Sequence, residues 1–219
     1  MHIITVISSF HKQIGKCNSN ELLKIIEDFQ PEVIFEELDS DFFNWIYTEG
    51  NSPTSNEAKA IKSYLKNCPI DHIPVDTYQF DFSKLFKGAD EIGRRNPEYT
   101  NLWKKHALWI KEHGYTYLNS NDCQNIVDRL QVLELATLAE IGDEKLLASF
   151  KAELAIYENR EYEMLRNIYD YCKKTPFENG IFICGIEHRK RLNRLVLEFE
   201  ANESTKIKWY FYDTTNNFG

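Results

Sequence analysis

Apolar residues in this chain recur with two periods, and the alternation between them lays out the fold. Ile3 to Ile7 is a short β-branched run, the pattern of a strand buried on both faces. Asn18-Ser19-Asn20-Glu21 then matches a helix N-cap with a reciprocating glutamate, and Leu22, Leu23, Ile25, Ile26 and Phe29 follow as one stripe at helical spacing. Pro31 closes that helix, and Glu32 to Leu38 returns to a strand pattern. Together they predict a βαβ unit with parallel strands, whose carboxyl ends share one rim of the sheet.

The same reading continues to the carboxyl end. FFNWIY after Asp39 is aromatic, EGNSPTSN is a loop, and Ala58 to Leu65 is a short helix. Ile70 to Tyr78 reads as a third strand with Asp76 at its end, and Pro74 argues for an edge position or a strand start. Residues 81–174 read as mainly helical, a helical insertion forming a cap, with loops at His113-Gly114 and around Gly142. Its best helix runs from about Asp143 to Cys172, and the apolar stripe of that helix is interrupted by Asn159-Arg160-Glu161, charged groups that either reach solvent or enter a polar pocket. Gly180 to Cys184 and Lys206 to Tyr212 are the fourth and fifth strands, joined by an amphipathic helix through Leu192, Leu195, Val196 and Phe199. The expected fold is α/β: a mixed, mostly parallel central sheet of about five strands flanked by helices, in a single domain over residues 1–219.

Composition narrows the function classes. With 42% hydrophobic and 14% aromatic residues the chain is globular. A net charge of −8 argues against a nucleic-acid partner, and the Arg189-Lys190-Arg191 cluster with Arg194 reads as the solvated face of a helix. No window approaches the ~20 apolar residues of a membrane span, and no amino-terminal signal pattern is present, so the expected location is cytoplasmic. Five scattered cysteines without a Cys-x-x-Cys read as reduced structural thiols; Cys184, beside the last glycine turn, reads as a buried strand thiol rather than a nucleophile.

Candidate chemistry sits at the strand ends. The first strand runs into His11, and the fourth runs through Gly185 into His188, so both imidazoles are expected at the carboxyl rim where α/β sheets bind ligands. Glu36 and Glu37 are adjacent and must point to opposite faces, so only one of them can enter the site. Arg160 offers a planar donor fork for an oxyanion or carboxylate, or else a salt bridge with Glu158 or Glu163. Asp76 orients a histidine or caps the next segment. Glu187 reads as solvent-facing, and His2, His72, His106 and His113 carry no supporting pattern.

The order of these motifs carries a resemblance. A strand ending in histidine, then Pro31-Glu-Val-Ile-Phe-Glu-Glu-Leu-Asp39, a Val75-Asp76 strand end, Glu158-Asn-Arg-Glu161 in a long helix, and a Gly185-x-x-His188 resemble the TraB/PrgY, Tiki and GumN group, distantly related to ChaN haem-iron proteins and erythromycin esterases. Where the group has Gly-Thr-x-His this chain has Ser8-Ser9-Phe10-His11, and Thr77 follows Asp76 where the group has arginine. The residues that match are His11, Glu37, Asp76, Arg160 and His188. The resemblance implies a hydrolase of peptide or ester bonds, since Tiki-like members are metal-dependent peptidases. In that reading His11, Glu37 and His188 hold a divalent metal (Mn, Co, Fe or Zn) that makes hydroxide available near neutrality. The alternative from the same resemblance is a non-catalytic signalling or ligand-binding protein that keeps the fold and takes a peptide, haem or other small-molecule ligand.

Overall fold

A computed structural model describes residues 1–77 and 86–213. Its centre is a five-stranded sheet in the order β3-β2-β4-β1-β5, built from β1 (His2–Ser9), β2 (Val33–Glu36), β3 (Asp71–Pro74), β4 (Asn179–Gly185) and β5 (Ile207–Phe211). Every pairing is parallel, so the expected mixture reduces to a purely parallel sheet. The reason lies in the connections: each pair of successive strands is separated by at least one helix long enough to return the chain to the same edge. Pro74 does lie on the edge strand, where its missing N–H leaves no ladder bond unmade. The strand is shorter than the predicted Ile70 to Tyr78, since Ile70 and Val75 to Thr77 lie outside it; Tyr78, and the first residues of the predicted helical stretch at 81–85, fall outside the described residues.

Side-chain alternation divides the core in two. Ile7, Ile34, Ile181 and Ile183 face one layer, with α1 (Ser19–Phe29) and α3 (Asn56–Leu65), the short α2 (Ser40–Phe43) lying between these two in the chain. Ile4, Val6, Phe35, Phe182 and Cys184 face the other, with α9 (Arg189–Asn202). The strands are apolar on both faces because both are covered.

The helical stretch comprises α4 (Ala89–Arg95), α5 (Pro97–His113), the short α6 (Tyr115–Leu118), α7 (Asn121–Ile141) and α8 (Glu144–Cys172). Its break at Gly114, with φ of 58°, and its αL cap at Gly142 fall where the two predicted loops lie. The path of α8 decides the site. Phe150, Leu147 and Leu154 near its start pack in the first layer, whereas Met164, Leu165, Ile168 and Tyr169 pack in the second. The helix therefore passes from one face of the sheet to the other, and Arg160 and Glu161 fall at the crossing, both buried. That crossing accounts for the polar break in the stripe: the charges enter a polar pocket. Among the described residues no helix is long and apolar enough to cross a membrane.

Candidate active site at the strand-end rim

The connections leaving β1 and β4 run to opposite sides of the sheet, toward β2 and β5 respectively. Neighbouring strands whose exits diverge open a crevice at their carboxyl ends. Ser9 of β1 is in register with Gly185 of β4, and the histidines follow directly, His11 in the loop and His188 in the single 3₁₀ turn before α9. Glu37 follows β2, its backbone N–H held by the Ile183 carbonyl at 3.1 Å.

Gly185 marks the meeting point. A Cβ on that residue would lie 3.0 Å from Glu187 Oε2, 3.5 Å from Glu37 Oε2 and 3.6 Å from His11 Nε2. Glycine leaves this space open, and its N–H donates to Glu37 Oε2 at 2.7 Å. Glu187, expected in solvent, is exposed yet turns one oxygen toward the same point.

Behind Glu37 lies a buried chain of ion pairs. Glu37 Oε1 accepts from His188 Nε2 at 3.0 Å and from the Arg160 guanidinium at 2.7 Å. Arg160 also donates to Asp76 Oδ2, at 2.6 Å through one terminal nitrogen and 3.2 Å through Nε. The other nitrogen of His188, Nδ1, donates to Glu161 Oε1 at 2.7 Å, and Arg191 Nε donates to Glu161 Oε2 at 2.7 Å. Arg160 is thus bound across the fold to strand-end carboxylates rather than to Glu158 or Glu163 on its own helix. Among the described residues Asp76 bonds the Arg160 guanidinium, which reaches over the rim from α8, and not a histidine.

Electrostatics follow from this wiring. Burial alone would lower the His188 pKa, but the carboxylates of Glu37 and Glu161 overcome it and raise it to about 10. Burial would likewise raise Glu37, yet His188, His11 and Arg160 hold its carboxyl well below the usual range. At neutral pH, then, His188 is an imidazolium locked between two carboxylates.

His11 differs. Its side chain is 57% exposed, and Nδ1 bonds Glu57 Oε1 at 3.2 Å. Glu57, at the start of α3, is itself buried and also takes the Ser9 hydroxyl hydrogen bond. That hydrogen bond to Glu57, opposed by partial burial and helped by Glu37 and Glu187, raises His11 to about 9. The loop is held from below: Asn56 Nδ2 donates to the carbonyls of Phe10 and Lys12 at 3.1 and 3.0 Å, and its backbone N–H to the His11 carbonyl at 3.2 Å. Gly15, at φ 54°, lets the same loop lie against Lys111 at the end of α5.

Sequence reasoning missed Glu57 and Glu161. Glu161 had a signal, since it belongs to the polar interruption that also contains Arg160. Glu57 had none, because a glutamate in the first turn of a helix reads as favourable to the helix dipole. Glu36 points the other way, as adjacency demands. It accepts from Tyr47 at 3.0 Å and pairs with His72 at 2.9 Å, one of the histidines that carried no pattern. The aromatic segment serves that pair: Phe43 and Tyr47 stack against His72. The basic cluster is not wholly a solvated face either. Arg189 turns inward to Ser8 Oγ and Asn119 Oδ1, both at 3.2 Å, and Asn119 in turn ties the helical stretch to the end of β1. Cys184 is buried, and burial holds its thiol far above the range in which it would ionise.

The donor set fits a divalent metal poorly in this arrangement. Both oxygens of Glu37 and both nitrogens of His188 already have hydrogen-bond partners. An ion between them would sit beside a guanidinium bonded to the same carboxylate oxygen, and like charges at that range oppose each other. Among the described residues no three His, Cys, Asp or Glu side chains are grouped to hold a metal ion. The chain matches no family model, and no curated protein matches it.

Proposed function

We propose that the chain is a hydrolase of ester or peptide bonds in which His11 is the general base. The observation that carries this reading is the His11–Glu57 pair, with Nε2 and Glu37 Oε2 both facing the space that a side chain on Gly185 would fill. Nδ1–H on Glu57 fixes the tautomer in which Nε2, once the ring has lost its second proton near pH 9, is the proton acceptor, and Glu57 stabilises the imidazolium formed again in the reaction, so turnover is expected to rise with pH toward about 9. A water between Nε2 and Glu37 Oε2 attacks the acyl carbon as Nε2 takes its proton. The same proton then goes to the leaving alkoxide or amine as the C–O or C–N bond breaks. His188, Arg160 and Asp76 act through Glu37, holding its carboxylate ionised and in place. The resemblance to the TraB/Tiki group supports hydrolysis, and the protonated nitrogens of His188 with the engaged oxygens of Glu37 favour the metal-free form of it.

A second reading, a ligand-binding protein without turnover, is favoured by one fact: His188 and Arg160 are satisfied internally and nearly closed to solvent, which leaves His11 as the exposed cation of the group. The test is release of p-nitrophenol from acetyl and butyryl esters and cleavage of a peptide library, with and without a chelator. The proposal expects turnover that survives chelation and falls about 10²–10⁴-fold in His11→Ala. Turnover abolished by chelation would restore the metal. No turnover on any substrate would leave the binding reading.

A further inference from the structure

The described helices α4, α5, α7 and α8 enclose, with the start of α9, a cavity of about 640 Å³. Tyr157 and Glu187 belong to its wall and also to the rim: Tyr157 stacks edge-on against His188 with centroids 5.8 Å apart, and Glu187 faces Gly185. The volume is that of a site for a small molecule or a few residues of peptide.

Its lining has two components. Phe86, Tyr99, Trp103, Phe150 and Tyr157 supply aromatic faces and edges. Glu134, Glu153, Glu158 and Glu187 supply carboxylates, and among the described residues none of these four is in an ion pair with lysine or arginine. The cations of the wall are differently placed: Lys190 is bound to Asp128 and Arg191 to Glu161, and Arg194 is exposed and turned to Glu198, 4.0 Å away on its own helix. Glu134 and Glu153 take hydrogen bonds from phenols, Tyr99 at 3.0 Å and Tyr157 at 3.2 Å. Burial and the neighbouring Glu153 raise the Glu134 pKa, so a cation beside it would favour its ionised form. Independently of these acids, Gln124 Oε1 in the same wall is a buried acceptor with no hydrogen-bond donor among the described residues. An acceptor left so is costly until something donates to it.

We propose that this cavity binds a primary organic ammonium on an apolar, preferably aromatic, body. The ammonium supplies N–H donors for an unmet acceptor and positive charge for the carboxylates, while ring faces attract cations and bury the apolar body. The inference rests on the hydrolase reading only in making the ligand its substrate class: an ester or amide carrying an amine, presented to His11 across Tyr157 and Glu187.

Binding of three probes of similar size to the full chain tests it by calorimetry: benzylammonium, benzyl alcohol and phenylacetate. Benzylammonium is expected to bind about tenfold or more tighter than either of the others, and to lose about that factor in Glu134→Gln. Glu158→Gln, at an exposed position, gives a smaller loss and keeps the test valid should the Glu134 variant fold poorly. His11→Ala is expected to bind benzylammonium as the unmodified chain does. Cation binding in that variant alongside no hydrolysis anywhere would sink the hydrolase and leave this inference standing. Equal affinity for the alcohol or the anion, or unchanged cation affinity in both glutamine variants, overturns it.

Discussion

The two rim histidines are alike in sequence setting, each just beyond an apolar strand, yet they occupy opposite electrostatic situations. His188 is closed off, with a carboxylate on each nitrogen. His11 has one carboxylate partner and an exposed ring. An imidazole fixed at both nitrogens can hold a neighbour in place but cannot exchange a proton with a ligand. One fixed only at Nδ1 is oriented and still free to react. The same contrast separates the adjacent carboxylates: Glu36 is sealed with His72 and Tyr47 on one face, and Glu37 presents an oxygen to the open space above Gly185 on the other.

The contrast predicts opposite mutational profiles. His188→Ala leaves Glu161 and Glu37 short of a buried partner and should destabilise the fold by about 3–5 kcal/mol, read by denaturant unfolding. His11→Ala leaves buried Glu57 only the Ser9 hydroxyl as a side-chain partner among the described residues, so it should destabilise the fold, but less than His188→Ala because the His11 ring is exposed, and it should remove most turnover. Equal destabilisation by the two would erase the distinction. Next in size is Glu57→Gln, expected to cut turnover by one to two orders of magnitude and to move the acid limb of the rate profile, where turnover rises as His11 loses its proton, from about 9 to lower pH, because a neutral partner no longer favours the imidazolium.

Stability should track His188 through pH. Its folded pKa is raised from 6.5 to about 10, so its contribution is complete below about 6.5, shrinks as pH rises, and is gone above about 10. Glu37 acts in the opposite sense, adding stability above its ordinary 4.5 and losing it as acid protonates it. Melting temperatures across pH 5 to 11 should fall at the alkaline end, and His188→Gln should flatten that fall. The smallest effect expected is chemical: a thiol reagent should modify exposed Cys68 promptly and buried Cys184 only on unfolding, since burial keeps the latter protonated.

How much of this was legible depends on whether periodicity or long-range pairing decides it. The β-branched and alternating runs predicted five strands and the apolar stripes the main helices, because burial on a sheet face or helix stripe imposes a local period. Strand-end position brought out His11 and His188, adjacency of Glu36 with Glu37 told that only one acid would enter the site, and the resemblance pointed to Glu37. The partners of these groups were not legible. Arg160 meets Asp76 across 84 positions and His11 meets Glu57 across 46, and no local pattern encodes which buried charge finds which. The inward turn of Arg189 was hidden for the same reason, as its acceptors lie on β1, on the α6–α7 turn and after β5.

Nitrogen-15 NMR of the two imidazoles during a pH titration tests the contrast most directly, since protonation of each ring nitrogen is read without any substrate. The account predicts that His188 stays doubly protonated until about pH 10, whereas His11 titrates near 9 and emerges with its proton on Nδ1. A His188 that loses its proton near 6.5, or a His11 that emerges protonated on Nε2, would contradict it.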